Sequence, residues 1–219
     1  MTAFAFSLLG ADLLALPSGA LLWPAQRLLV VSDLHFGKSL RLARRGGALL
    51  PPWEVSETLS RLEADLEAQA PRQVIALGDT FDDLEAETEL DEADRLRLTR
   101  LAAGRDWIWI AGNHDPGPLL LPGRHLSEAR LGPLTFRHIA QPGAAGEISG
   151  HFHPKGRLAG RWRPCFLIDS VRVILPAYGA YTGGLACSAP ELRVLFQPSA
   201  LAVLTGPRAL PAPMASVGR

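Results

Sequence analysis

Hydrophobic positions along this chain come in short runs broken by Gly, Pro, Asn and Asp, the pattern of a strand-rich protein. Strands are predicted at Phe4–Leu9, Asp12–Leu16, Ala20–Trp23, Arg27–Ser32, Gln73–Leu77, Trp107–Ile110, Leu134–Arg137, Glu147–Ser149, Cys165–Ile168, Val171–Leu175 and Leu192–Phe196. Pro17-Ser18-Gly19 links the second and third as a hairpin turn. Two segments carry the helical period instead. Glu54–Gln69 sets Val55, Leu59, Leu62 and Leu66 on one face, with Pro71 just beyond its end. Thr88–Ala103 opens on Thr-x-x-Asp, similar to a capping box, and stops at Gly104. Helices between the early strands, then mostly strands, predict an α/β fold of two packed sheets with helices outside. Residues 1–206 read as one domain, and 207–219 (PRALPAPMASVGR) as a Pro/Ala-rich disordered tail.

Polar side chains gather where these strands end. RLLVVSDLH finishes on Asp33 and His35, QVIALGD on Asp79, WIWIAGNHD on Asn113, His114 and Asp115, and EISGHFH on His151 and His153. In open α/β sheets ligands bind at the carboxyl ends of strands, where several loops converge. Asp-x-His and His-x-His each send two donors to one side of an extended segment, because strand side chains alternate. Gly78, Gly112 and Gly150 precede three of these positions and permit close backbone approach to a centre. Each element alone is commonplace, and a single His is more often structural. The repetition at four strand ends points to a metal site, and imidazole with carboxylate and amide oxygens suits divalent Mn, Fe or Zn without a thiolate.

Composition narrows the partners. The 219 residues, 47% of them hydrophobic, suffice for a sizeable core. The net charge of +0 gives no overall field toward nucleic acid or anionic membrane. Charge is nevertheless uneven: residues 79–94 hold nine carboxylates and no Lys or Arg, while Lys38, Arg41, Arg44 and Arg45, then Lys155, Arg157, Arg161 and Arg163, are basic. Cys165 and Cys187 are too few for a disulfide framework or a thiolate metal site. The apolar start is interrupted by Asp12 and Pro17 and lacks a basic leader, and no apolar run of membrane-spanning length occurs. A cytoplasmic protein is expected.

The ordered set SDLH, GDTFD, GNHD, an isolated His138 and GHFH resembles the calcineurin-like metallophosphoesterase superfamily over residues 31–153. That resemblance implies a four-layer α/β/β/α sandwich of two mixed sheets around two divalent metals, with Mn2+ the first expectation and Fe or Zn the alternatives. By motif, Asp33, His35, Asp79 and His153 would hold one metal, and Asp79, Asn113, His138 and His151 the other, with Asp79 bridging. His125 is the histidine left to compete with His138. LALPSGALLWP, VVSDLHFGKS, GHFHP and LPAYGAYTGG are further similar to bacterial ligase-associated DNA damage response endonucleases, to about residue 185. GDTFDD departs from the GDLFHS-like run of that family and leaves Asp79 intact. The resemblance alone suggests association with DNA ligase or helicase repair proteins.

Two metals can lower the pKa of a bridging water toward about 7 and clamp phosphate oxygens during in-line attack. The resemblance gives His114 the role of general acid toward the leaving group; Asp115 either orients His114 or caps the turn. Lys38, Arg41, Arg44 and Arg45 would line a phosphate track, the alternative being a solvated helix face. The carboxylates of 79–94 would then lie away from a polyanion, Asp79 and Asp82 excepted. Gly179, Gly183 and Gly184 with Tyr178 and Tyr181 would form a loop at the rim. Three functions fit: a metal-dependent DNA nuclease in repair, a phosphodiesterase of small substrates such as cyclic nucleotides, and a non-catalytic scaffold of the same fold. A scaffold would have eroded ligands, and here every one is present.

Overall fold

The computed structural model describes residues 2–47, 50–51 and 53–218. Strands β1 (Phe4–Leu8), β2 (Ala11–Ala15), β3 (Leu21–Trp23) and β4 (Leu28–Val31) form an antiparallel meander. Helices α1 (Lys38–Arg44) and α2 (Glu54–Gln69) lead to β5 (Gln73–Ala76). Helices α3 (Leu84–Glu89) and α4 (Glu92–Ala102) lead to β6 (Asp106–Ile110) and β7 (Arg124–Leu126), and β4 to β7 run parallel. The chain then builds a second sheet from β8 (Glu128–Leu131), β9 (Leu134–Arg137), β10 (Glu147–Ser149), β11 (Lys155–Leu158), β12 (Arg161–Ile168) and β13 (Arg172–Ile174). Helix α5 (Pro190–Arg193), strands β14 (Leu201–Leu204) and β15 (Leu210–Pro213) and helix α6 (Met214–Val217) complete it. Its order is β15-β14-β12-β13-β10-β9-β8, with β11 paired to β12 off that path. In this sheet β9, β10 and β13 are parallel neighbours, so each sheet is mixed.

Strand β4 shows why these runs are apolar without a break. Leu28 and Val30 share the core between the sheets with Phe136, Ile148 and Phe166. Leu29 and Val31 face the other way and share a core with Leu59, Leu62 and Leu66 of α2. A strand covered on both faces has no position for a polar side chain. Outside the second sheet, Cys165, Leu167, Ile174 and Leu204 pack with Leu192, Met214 and Val217. The layers are therefore α/β/β/α, with α5 and α6 as a thin fourth. Both cysteines are buried as free thiols, their sulfurs 3.4 Å apart.

Three expectations are corrected. Leu192–Phe196 is not a strand: Pro190 opens a helical turn through Arg193 and supplies the preset φ of a first helical position. The helix expected over Thr88–Ala103 is two helices broken at Leu90. The carboxylate of Asp83 accepts from Ala86 N at the start of α3, and that of Asp91 from Ala93 N at the start of α4. Nor is 207–218 disordered. Leu210–Pro213 pairs with β14 as the edge strand of its sheet, where Pro211 and Pro213 need no outward donor, and Met214 and Val217 are buried. Arg219, the end of that expected tail, lies outside the described residues, as does Met1.

Candidate metal centre

The donors predicted from sequence arrive at the carboxyl ends of parallel strands in both sheets. Asp33 and His35 follow β4, Asp79 follows β5, Asn113 and His114 follow β6, His138 follows β9, and His151 and His153 follow β10. Backbone bonds lace these loops together. His35 N donates to Asp79 O at 2.9 Å, Gly179 N to Asp33 O at 3.0 Å and Tyr178 N to Ser32 O at 2.7 Å. The Tyr178–Gly179 segment thus buttresses the site from below, and Tyr178 is buried with its hydroxyl donating to Asp65. The rim loop expected there is confined to Tyr181 and its neighbours, where the side chain is exposed.

Two donor groups result. Asp33, His35 and His153 form one and Asp79, His138 and His151 the other, the atoms of each lying within 4.8 Å of one another. His153 Nε2 is 3.1 Å from Asp33 Oδ1, and His35 Nε2 is 3.3 Å from His153 Nε2. In the second group His138 Nε2 is 3.3 Å from Asp79 Oδ2, 3.0 Å from Asn113 Oδ1 and 3.2 Å from His151 Nδ1. Asp79 Oδ2 also lies 3.9 Å from His35 Nε2, so one carboxylate oxygen faces both groups. His125 does not compete. Its ring joins Leu119 N and Leu121 O within its own loop.

The chemistry of the donors fits a pair of divalent cations. His138 Nδ1 donates to Leu77 O at 2.7 Å and His35 Nδ1 to Asp82 Oδ1 at 2.7 Å, which leaves each Nε2 with its lone pair turned inward. For His138 the facing atoms are oxygens of Asn113 and Asp79, an arrangement that asks for positive charge between them. The titration directions express the same demand. Burial works against a charged His138, yet the hydrogen bond to Asp79 and the charge of Asp33 raise its pKa. Burial also opposes ionisation of Asp79, and His138 overcomes it to hold the carboxyl at about 2. Burial and the neighbouring His138 push His151 down, toward the neutral form a ligand needs.

Strain marks the same residues. Asp33, His35, Asp79, His151 and His153 have φ of 54°, 47°, 46°, 69° and 46°. Each left-handed non-glycine residue costs about 1–3 kcal/mol, a cost that folds retain where function dictates geometry. Glycines allow the crowding. A Cβ on Gly150 would overlap Ser32 Oγ and come within 2.5 Å of Asp33 Oδ2, and one on Gly112 would overlap Asp79.

His114 stands beside both groups without joining either. Its backbone N–H donates to Asp79 Oδ1 at 2.9 Å and its Nδ1 to Asp82 O at 2.8 Å, so Nε2 is the ring nitrogen left for another partner. Its ring meets that of His35 edge-on, with centroids 5.2 Å apart. Asp115 does not orient it. The Asp115 carboxylate accepts from Thr80 N (2.7 Å), Phe81 N (3.0 Å) and Gly112 N (3.2 Å), clamping the Asp79 loop to the Asn113 loop. Burial first, then repulsion from Asp79, raises its pKa to about 6.

The basic stretch after His35 is not the open phosphate track expected of it. Lys38 is 3.4 Å and Arg41 2.8 Å from the buried Asp82. Arg44 pairs with Asp83, Glu85 and Glu89. Arg45 has no ion pair among the described residues. The acidic 82–89 segment thus lies against α1 rather than apart from it. Sequence reasoning missed Asp82 as the residue that couples His35 to α1; the signal available was a carboxylate three residues beyond Asp79 in GDTFD.

A model of the calcineurin-like phosphoesterase family matches residues 26–188. The crystal structure of the Pseudomonas putida nuclease MPE is similar at 28% identity and a TM-score of 0.74, covering 96% of this chain and 100% of that one. Yfce, a phosphoesterase from E. coli, covers 72% of this chain and 82% of its own at 13% identity, with a TM-score of 0.39. No curated protein matches the chain.

Proposed function

The chain belongs to the calcineurin-like phosphoesterase family and is a metal-dependent phosphoesterase; from that premise we propose that it hydrolyses phosphodiester bonds in DNA, with His114 as general acid. The observation that carries the reading is His114 Nε2, held free beside two donor groups that share the Asp79 carboxylate. Asp33, His35, Asp79 and His153 would hold one cation, and Asp79, Asn113, His138 and His151 the second. When bound, the two cations lower the pKa of water toward about 7 and draw charge from the phosphoryl oxygens.

The protein's own groups do the rest. Asp82 O accepts from Nδ1–H, so the second proton of the imidazolium form sits on Nε2 and is the one passed to an alkoxide leaving group, which leaves the ring neutral. A positioned acid of this kind contributes about 10²–10⁴-fold. The Asp115 clamp keeps the His114 loop against the Asp79 loop while that proton moves. Mn2+ is the first choice of metal because carboxylate and amide oxygens accompany the imidazoles. A setting in ligase-associated DNA repair, with ligase or helicase partners, rests on the motif resemblance. A cytoplasmic location, expected from the interrupted apolar start, is part of the proposal; no helix among the described residues is long and apolar enough to cross a membrane.

A second reading is supported by the pairing of Lys38, Arg41 and Arg44, which leaves less free positive charge beside His35. It is a phosphodiesterase of cyclic nucleotides. Metal-loaded protein incubated with labelled single-stranded, duplex and flapped DNA, beside 2′,3′- and 3′,5′-cyclic nucleotides, separates the two by kcat/KM. A large preference for the cyclic esters would overturn the nuclease reading. His114→Asn is expected to keep its metal content while turnover of an unactivated diester falls at least about tenfold. An aryl diester, with its better leaving group, should lose less.

A further inference from the structure

Strands β11 and β12 make a hairpin that begins two residues after His153, with its base packed on the protein and residues 157–162 exposed. Its two-residue turn, Ala159-Gly160, has φ of 49° and 78°, the doubly left-handed form that matches strand twist in tight hairpins. A Cβ on Gly160 would meet no heavy atom within 4 Å, so the tip stands clear of the fold. Near its base, a Cβ on Gly156 would meet Val217, which turns that face of the hairpin toward the core. The opposite face carries Arg157 and, directly across the strand pair, Trp162. Trp162 is 49% exposed. Arg161 and Arg163 alternate onto the other face, Arg161 exposed beside the turn and Arg163 half-buried nearer the base. Among the described residues none of Arg157, Arg161 and Arg163 has an ion-pair partner, unlike Lys38, Arg41 and Arg44 of α1. Lys155 is already engaged, donating to Thr182 O.

We propose that the β11–β12 hairpin is a binding arm for an unpaired nucleic-acid strand, with a base stacked on Trp162 and phosphates held by Arg157 and Arg161. This rests on the nuclease reading and names the form of its substrate. An indole presented beside unpaired guanidinium groups is the combination that holds single strands: the π-face accepts any base, and the cations follow the backbone. Duplex bases are already stacked on each other and offer Trp162 no face. The reach is right, since the four residues from His153 to Arg157 span at most about 14 Å of extended chain. A strand on the arm is therefore delivered to the metal groups a few nucleotides away.

The test is fluorescence anisotropy of a labelled single-stranded oligodeoxynucleotide of about 20 residues, well above the site size of a stacking platform. Chelator blocks cleavage, and the titration is repeated across salt from about 50 to about 200 mM, where phosphate contacts register in the slope. Trp162→Ala is expected to weaken binding about 5- to 100-fold. Arg157→Ala with Arg161→Ala should lower the salt slope by about 0.7 per arginine, the single-strand value. Wild-type affinity and slope in both variants would overturn the arm, as would tighter binding of the matching duplex. Turnover of bis(p-nitrophenyl) phosphate by metal-loaded wild-type protein reads the phosphodiesterase assignment separately. Turnover with unaltered variant binding sinks the arm alone; hairpin-dependent binding without turnover sinks the enzymatic reading alone.

Discussion

Helix α1 and the β11–β12 hairpin carry the same signature in sequence, basic side chains directly after a metal motif, and they meet opposite fates. Lys38, Arg41 and Arg44 are covered by Asp82, Asp83, Glu85 and Glu89. Among the described residues Arg157 and Arg161 have no ion-pair partner, and they stand on a hairpin that exposes Trp162. A run of charge acquires meaning only from what folds onto it. The charge of α1 is spent inside the protein, where Arg41 and Lys38 hold the carboxylate that in turn holds His35. The hairpin's charge is available to a partner.

The sharpest way to break this contrast is Asp82→Ala. It removes the acceptor of His35 Nδ1 and strands Arg41 and Lys38 at once. Loss of such an outer partner lowers metal affinity about 10–100-fold, read by calorimetric titration of the metal. Breaking a pair with one buried member should also cost about 3 kcal/mol or less in chemical denaturation, since the partner cations are partly exposed. Undiminished metal affinity would mean that α1 and the site are independent.

What sequence shows and hides follows the same logic. The metal donors are legible because three of the five strand ends that deliver them use compact motifs, Asp-x-His, Gly-Asn-His and His-x-His, in which strand periodicity and chemistry coincide. His138 is legible only through resemblance, because nothing local marks it; β9 places it. The role of Asp115 is hidden for a different reason. Capping a turn and orienting a histidine need the same residue at the same place, and only the distances to Thr80, Phe81 and Gly112 N–H decide. The doubly covered strands β4, β5 and β6 are plain in the sequence, whereas β7, β8 and β11 are edge or hairpin strands with Arg, Glu and Lys in them and no apolar alternation. The final segment misleads because Pro and Ala suggest disorder, yet an edge strand tolerates proline and Met214 and Val217 anchor it.

A smaller effect sharpens the contrast from the hairpin side. Arg163→Ala removes a guanidinium that shares the face of Arg161 but is half-buried close to Gly206, nearer the base of the hairpin than its exposed tip. Its loss should lower the salt slope of oligonucleotide binding by less than the roughly 0.7 expected for Arg157 or Arg161. A full-sized change would extend the binding surface from the exposed tip toward the base of the hairpin.

The mildest test sits on α1. Arg44→Ala takes away a cation already matched by Asp83, Glu85 and Glu89, so the salt slope of DNA binding should stay at its wild-type value. The complementary variant, Glu85→Gln with Glu89→Gln, keeps Asp83 as the cap of α3 and uncovers Arg44 in part. If pairing is what silences the helix, this variant should gain slope, by less than about 0.7 because Asp83 still holds one guanidinium nitrogen. A gain in the charge-neutralised variant with no change in Arg44→Ala locates the difference between the two basic regions in their partners. A drop in slope for Arg44→Ala itself would instead show that phosphate displaces Glu89 on binding, and that α1 belongs to the DNA track after all.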